Sequence, residues 1–170
     1  MENGLRVGIS GYGLAGRFFH APLLKGVGYE VVGALTSNPD RIAHLHQDFP
    51  GAQAVSTIED LLALELDLLV VASANIVHAE QAIAGLRAGV PVVVDKPMGL
   101  NLAQTEEIVD VSRETGVPVT TYFNRKWDSE SLTIKKVLAD GLLGEIFRLD
   151  SRFERFRPES NPHSWREFMS

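Results

Sequence analysis

The sequence predicts an α/β fold: a doubly wound parallel sheet covered by helices on both faces. Three observations lead there. Short β-branched runs alternate with helical segments as far as Tyr122, as successive βαβ units do. Those strand runs are apolar at consecutive positions, as strands buried on both faces are. A glycine-rich turn, GYGLAG at 11–16, joins the first strand to the first helix.

The strand runs are Leu5 to Ser10, Glu30 to Leu35, a weaker one at Ala52 to Val55, Asp67 to Ala72, Pro91 to Val94 and Pro118 to Thr121. Helix signals fall between them. Asn38 and Pro39 read as N-cap and first helical residue, and Ser56 with Glu59 reads as a capping box. Asn101 with Gln104 opens another helix, which Gly116 ends as a left-handed cap. Residues 1–122 are expected to form one domain around this sheet, and 123–170 the incomplete start of a second, α+β domain. There Ser129 to Asp140 reads as a helix stopped by Gly141. From Phe147 to Phe153 apolar residues then alternate with the charges of Arg148, Asp150 and Arg152, the pattern of an antiparallel strand with one wet face. A lone strand is unstable in water, so either the chain is a fragment or this strand pairs with another copy.

Composition narrows the function classes. Among 170 residues the net charge is −6 and no basic run stands out, which argues against a nucleic-acid partner. No apolar stretch approaches the roughly 20 residues of a membrane span, and no secretory leader precedes the strand at Leu5, so a cytoplasmic protein is expected. Without cysteine there are no disulfides, thiolate metal sites or cysteine nucleophiles, and the five histidines show no ligand spacing except His44 and His46, which point to different helix faces, so no metal is assigned.

The glycine turn carries the chemistry. Directly after a strand and before a helix, Gly11, Gly13 and Gly16 match the Rossmann dinucleotide fingerprint, with Tyr12, Leu14 and Ala15 completing the cofactor loop. The first glycine makes the turn, the second admits a pyrophosphate, and the third lets helix pack on strand. At the end of the second strand, where a carboxylate holds the ribose 2′-hydroxyl of NAD, stand Thr36, Ser37 and Asn38. That substitution, with Arg41 one turn into the next helix, favours NADP over NAD. Asp95 and Lys96 follow the fifth strand, at the carboxyl end where open α/β sheets bind ligands. A part-desolvated lysine there can move the proton that accompanies hydride transfer. The loop from Ala72 and Ser73 to His78 lies at another carboxyl end. Asn75 is placed to cap the following helix, and His78 is open to either a cofactor or a structural role. His20, within an apolar run, reads as packing.

The motifs GYGLAG, FHAPLL at 19–24, ASANIVH at 72–78, VVVDKPMGLNLAQ at 92–104 and NRKWDSE at 124–130 together resemble the Gfo/Idh/MocA oxidoreductases. The resemblance covers essentially the whole chain but only about the first half of a typical member. It implies that the four loops surround the cofactor, that Asn124 and Arg125 join them, and that Lys96 is the family's catalytic lysine. Asp95 stands where members more often carry glutamate. It also implies a sugar, inositol or related polyol as substrate, and a second domain with an open antiparallel sheet that often forms a dimer interface; a homo-oligomer is expected. The family's usual Asp and His beyond this point do not occur in the chain, which predicts cofactor binding without normal turnover by these residues alone. The alternatives are a catalytically silent dinucleotide-binding sensor or regulatory module, and a self-associating structural protein.

Overall fold

In the computed structural model, residues 4–154, 156, 158 and 159 are described. Six strands, β1 (Arg6–Ser10), β2 (Glu30–Leu35), β3 (Gln53–Val55), β4 (Leu68–Val71), β5 (Val92–Val94) and β6 (Val119–Thr121), lie in the order β3-β2-β1-β4-β5-β6. All five pairings are parallel. Each strand falls on its predicted run, trimmed by a residue or so at the ends. The crossovers carry α1 (Ala21–Gly26), α2 (Pro39–Asp48), α3 (Ile58–Leu62), α4 (His78–Arg87) and α5 (Leu102–Thr115).

The core explains the consecutive apolar residues. Leu69 and Val71 of β4 point into one cluster with Leu61, Leu86, Val92 and Ile108, while Val70 and Ala72 point into another with Ile9, Leu24, Val31 and Leu45. Neighbouring residues on a strand face opposite ways, so a sheet covered on both sides needs an apolar residue at each position.

The predicted caps hold in two cases. Asn38 accepts a hydrogen bond from the Arg41 N–H at 3.0 Å, and Asn101 accepts one from the Gln104 N–H at 3.0 Å. Gly116 adopts φ 70° and closes α5. The predicted capping box at Ser56 and Glu59 lies one residue too early. Thr57 is the N-cap, accepting from the Asp60 N–H at 3.1 Å while its hydroxyl donates to the Asp60 carboxylate. Thr57 and Asp60 offer the same chemistry at the same spacing, so local sequence does not separate the two frames.

A side-chain network ties the end of α2 to the glycine loop and the turn that follows it. Tyr12, 1% exposed, donates its hydroxyl to Asp48, and the Arg17 guanidinium donates to the same carboxylate oxygen at 2.8 Å. Burial pushes the Asp48 carboxyl up, but hydrogen bonds from Arg17 and Tyr12 outweigh it and hold the group below its ordinary value. This contribution is present above the unfolded value of 3.8 and is lost as pH falls through the lower folded value. Replacing Asp48 by Asn is expected to cost about 2 kcal/mol of unfolding free energy at pH 7, measured by urea denaturation, with a smaller difference at acid pH.

The chain divides after Asn124 into two compact units. In the second, α6 (Ser129–Ala139) forms as predicted and Gly141, at φ 65°, follows it. The predicted strand at Phe147 to Phe153 does not form. Those residues carry no ladder, and Phe147 is 96% exposed. The pattern specifies a strand only when a neighbour accepts its N–H and C=O groups, and none of the described residues does so.

Candidate functional site

In the strand order, the chain reverses direction across the sheet between β1 and β4. At such a switch point the loops leaving the two strands part in opposite directions and open a crevice at their carboxyl ends. The glycine loop leaves β1, the Ala72 to Val77 loop leaves β4, and Asp95 and Lys96 leave β5, the next strand.

Gly11 has φ 94°, and its N–H donates to the Leu35 carbonyl at 3.1 Å. A Cβ there would lie 2.7 Å from the Ser73 Cα, so the loop is pressed against the β4 exit. A Cβ on Gly16 would strike the Gly11 carbonyl oxygen, so the loop also closes on itself. Gly13 differs. The three atoms nearest a Cβ there all belong to the Arg41 guanidinium, at 3.5 to 3.7 Å. The loop therefore presents backbone beneath an exposed cation, an arrangement that fits a dinucleotide phosphate. Thr36 is buried, its hydroxyl accepting from the Asn38 N–H, and Ser37 is exposed beside it.

Tyr12 faces the core, leaving only its backbone for a ligand, while Leu14 is exposed and Ala15 half-buried. The helix after the loop opens with a wide π-type turn, Gly16–His20, which the sequence did not signal. Phe18 and Phe19 are exposed on this turn and His20 is buried.

Beneath the crevice, the hydroxyls of Ser10 and Ser73 both donate to the Gln81 side-chain oxygen, at 2.7 and 2.6 Å. Gln81 thereby ties β1, the β4 exit and α4 together. Its only sequence signal is a polar residue in the apolar stripe of Ala79, Ala82 and Leu86. The predicted cap at Asn75, in the loop above it, does not form. Asn75 instead starts a 3-10 turn, Asn75–Val77, and its carbonyl accepts the His78 N–H. His78 is the first residue of α4 and is 1% exposed. Its Nδ1 lies 2.8 Å from the Pro97 carbonyl oxygen and its Nε2 3.2 Å from that of Ser73. A neutral imidazole donates through one nitrogen only, so the ring bonds one of these loops and packs against the other.

Asp95 accepts the Lys96 N–H at 2.8 Å, and Lys96 is exposed. His20, 4% exposed, sets its Nε2 4.0 Å from the other Asp95 oxygen and its ring 4.3 Å from that of Tyr122, tilted by 49°. That Nε2 has no hydrogen-bond partner among the described residues, which costs about 1 to 3 kcal/mol. Burial pulls the His20 imidazole below its ordinary value, with Asp95 opposing.

Asn124 ends the first unit and Arg125 begins the second, where its guanidinium pairs with Asp128 at 3.2 Å and stacks on Phe153. A cavity of ≈ 410 Å³ between α1 and α2 is lined by Arg17, Phe18, Lys25 and Asp48 among others, and shares no residue with the crevice loops. Among the described residues no three His, Asp or Glu side chains cluster as metal ligands, and no helix is long and apolar enough to cross a membrane.

The model of the oxidoreductase family with an NAD-binding Rossmann fold matches residues 5–123, the span that builds every wall of this crevice. The chain belongs to the Gfo/Idh/MocA family. It is 38% identical over 168 residues to the uncharacterized oxidoreductase YdgJ of Escherichia coli, covering 98% of this chain and 48% of that protein. It is 35% identical to the scyllo-inositol 2-dehydrogenase (NADP(+)) IolW of Bacillus subtilis, over 96% of this chain and 45% of that one. The putative oxidoreductase yvaA of Bacillus subtilis superposes with a TM-score of 0.87 at 34% identity, over 94% of this chain and 46% of its own. The chain thus spans about half the length of these Gfo/Idh/MocA relatives.

Proposed function

We propose that the protein, in its full natural length, is an NADP-preferring oxidoreductase acting on a hydroxyl or ketone of a sugar, inositol or related polyol. The observation that carries this is the placement of the glycine loop and the Lys96 turn at the carboxyl ends of β1 and β5, on either side of β4. The bound nicotinamide supplies or accepts the hydride. The chain's own residues do the rest. The backbone at Gly13 and the start of the following helix receive the diphosphate, and Arg41 pairs with the 2′-phosphate. Lys96 takes the hydroxyl proton during oxidation and returns it during reduction. His78 and Gln81 hold the loops at the distances these steps require. IolW, whose name specifies NADP(+), supports both the cofactor and the substrate class.

Arg41→Ala is expected to weaken NADPH binding about thirtyfold while leaving NADH within twofold, read by quenching of protein fluorescence. Equal losses for both dinucleotides would refute the NADP assignment. Assays of the full-length protein with NADP and a panel of inositols and sugars test the reaction itself. Tight NADPH binding without turnover on any of them would favour a silent dinucleotide-binding module instead.

A further inference from the structure

We propose that His20 is a positioning residue for the Asp95–Lys96 turn, its Nε2 facing the Asp95 carboxylate across the interior at 4.0 Å. The inference rests on reading that turn as the reactive end of the crevice. His20 comes from the wide turn after the glycine loop, so it links the phosphate end of the site to the lysine end.

The argument turns on what a histidine supplies here that an apolar residue would not. A phenyl ring would stack on Tyr122 equally well and would leave no buried nitrogen without a partner, which is destabilising. What remains is a polar atom directed at Asp95. Asp95 is bidentate in effect: one oxygen holds the Lys96 N–H at 2.8 Å and the other faces His20. With the imidazole in place, the carboxylate is kept on the backbone side of the turn. Without it, the carboxylate is free to swing out and pair with the Lys96 ammonium, which holds the proton on and leaves less neutral amine to take a proton or react.

The distance is diagnostic. At 4.0 Å the pair is about 1 Å beyond a hydrogen bond. A side chain one methylene longer at position 95 closes that gap, and an uncharged one abolishes the attraction. The groups that face the ring are Asp95 from the end of β5 and Tyr122 from the end of β6; on its own turn, Arg17 is committed to Asp48.

The test combines two readouts that need no turnover. Proton–nitrogen NMR follows the His20 imidazole through its titration in wild type, Asp95→Asn and Asp95→Glu. Acylation with mass spectrometry follows the Lys96 amine, with exposed Lys25 as the internal reference. The Asn variant is expected to lower the His20 midpoint by about one pH unit and the Glu variant to raise it by a similar amount. His20→Phe is expected to slow Lys96 acylation relative to Lys25 about threefold. His20→Leu, which likewise offers Asp95 no polar atom, gives the same reading should the Phe variant not fold. A midpoint indifferent to both Asp95 variants, or an unchanged Lys96 to Lys25 ratio, overturns the proposal. A wild-type chain that fails to bind either dinucleotide, with both readouts as expected, removes the cofactor reading and leaves the positioning of Lys96 by His20 standing.

Discussion

Replacing Lys96 by Met in the full-length protein is expected to lower kcat/KM about a thousandfold, the size of effect associated with losing a positioned acid–base group. Dinucleotide affinity should change little if, as proposed, the glycine loop and Arg41 carry that binding. Lys96→Arg separates two roles of the amine. Arginine preserves the positive charge but does not release its proton near neutral pH, so a charge-only role predicts near-normal activity and an acid–base role predicts a loss close to that of the Met variant. Steady-state kinetics on both variants, with NADPH titrations alongside, make the measurement. Retention of more than about a tenth of wild-type activity by the Met variant would exclude Lys96 as the proton carrier.

The second large effect belongs to the glycine loop, where two neighbouring substitutions should fail for different reasons. Gly11→Ala places a side chain at φ 94° and 2.7 Å from the Ser73 Cα, backbone that cannot yield cheaply. We expect a loss of about 3 kcal/mol or more in stability, visible as a lowered urea midpoint before any ligand is added. Gly13→Ala meets only the Arg41 guanidinium, at 3.5 Å and beyond, so the protein should fold normally. On the proposed reading its added methyl stands where the diphosphate approaches the backbone, and NADPH affinity should fall about a hundredfold, roughly 3 kcal/mol. A Gly13→Ala variant that binds NADPH like wild type would mean that the cofactor does not lie over this loop.

The fold was legible because its information is local and redundant. Any stretch of β4 read alone is apolar at each position, and only a strand covered on both faces asks for that. The same redundancy placed Asn38, Asn101 and Gly116, whose side chains or backbone freedom perform one task at one end of one helix. Legibility failed where a pattern was necessary but not sufficient. Ser56 and Thr57 offer the same oxygen in adjacent frames, and the alternation from Phe147 to Phe153 describes a strand without supplying its neighbour. Within the site, the glycine loop and the Lys96 turn could be found because each lies next to a strand end that the pattern located. His20, Gln81 and Asp48 could not be assigned their roles that way, since nothing beside them in the chain marks the partners they meet.

The division has a physical basis. Hydrophobic periodicity, caps and a glycine at positive φ act over a few residues, so the amino-acid sequence alone determined the α/β layers, the parallel sheet and the glycine bend after β1. The contacts that convert this scaffold into a site join residues far apart in the chain: Arg41 over Gly13, Gln81 between Ser10 and Ser73, His20 beside Asp95. Those were decided only when the crossovers had packed onto the two faces of the sheet, because a side chain's reach of a few ångströms selects partners by position in space.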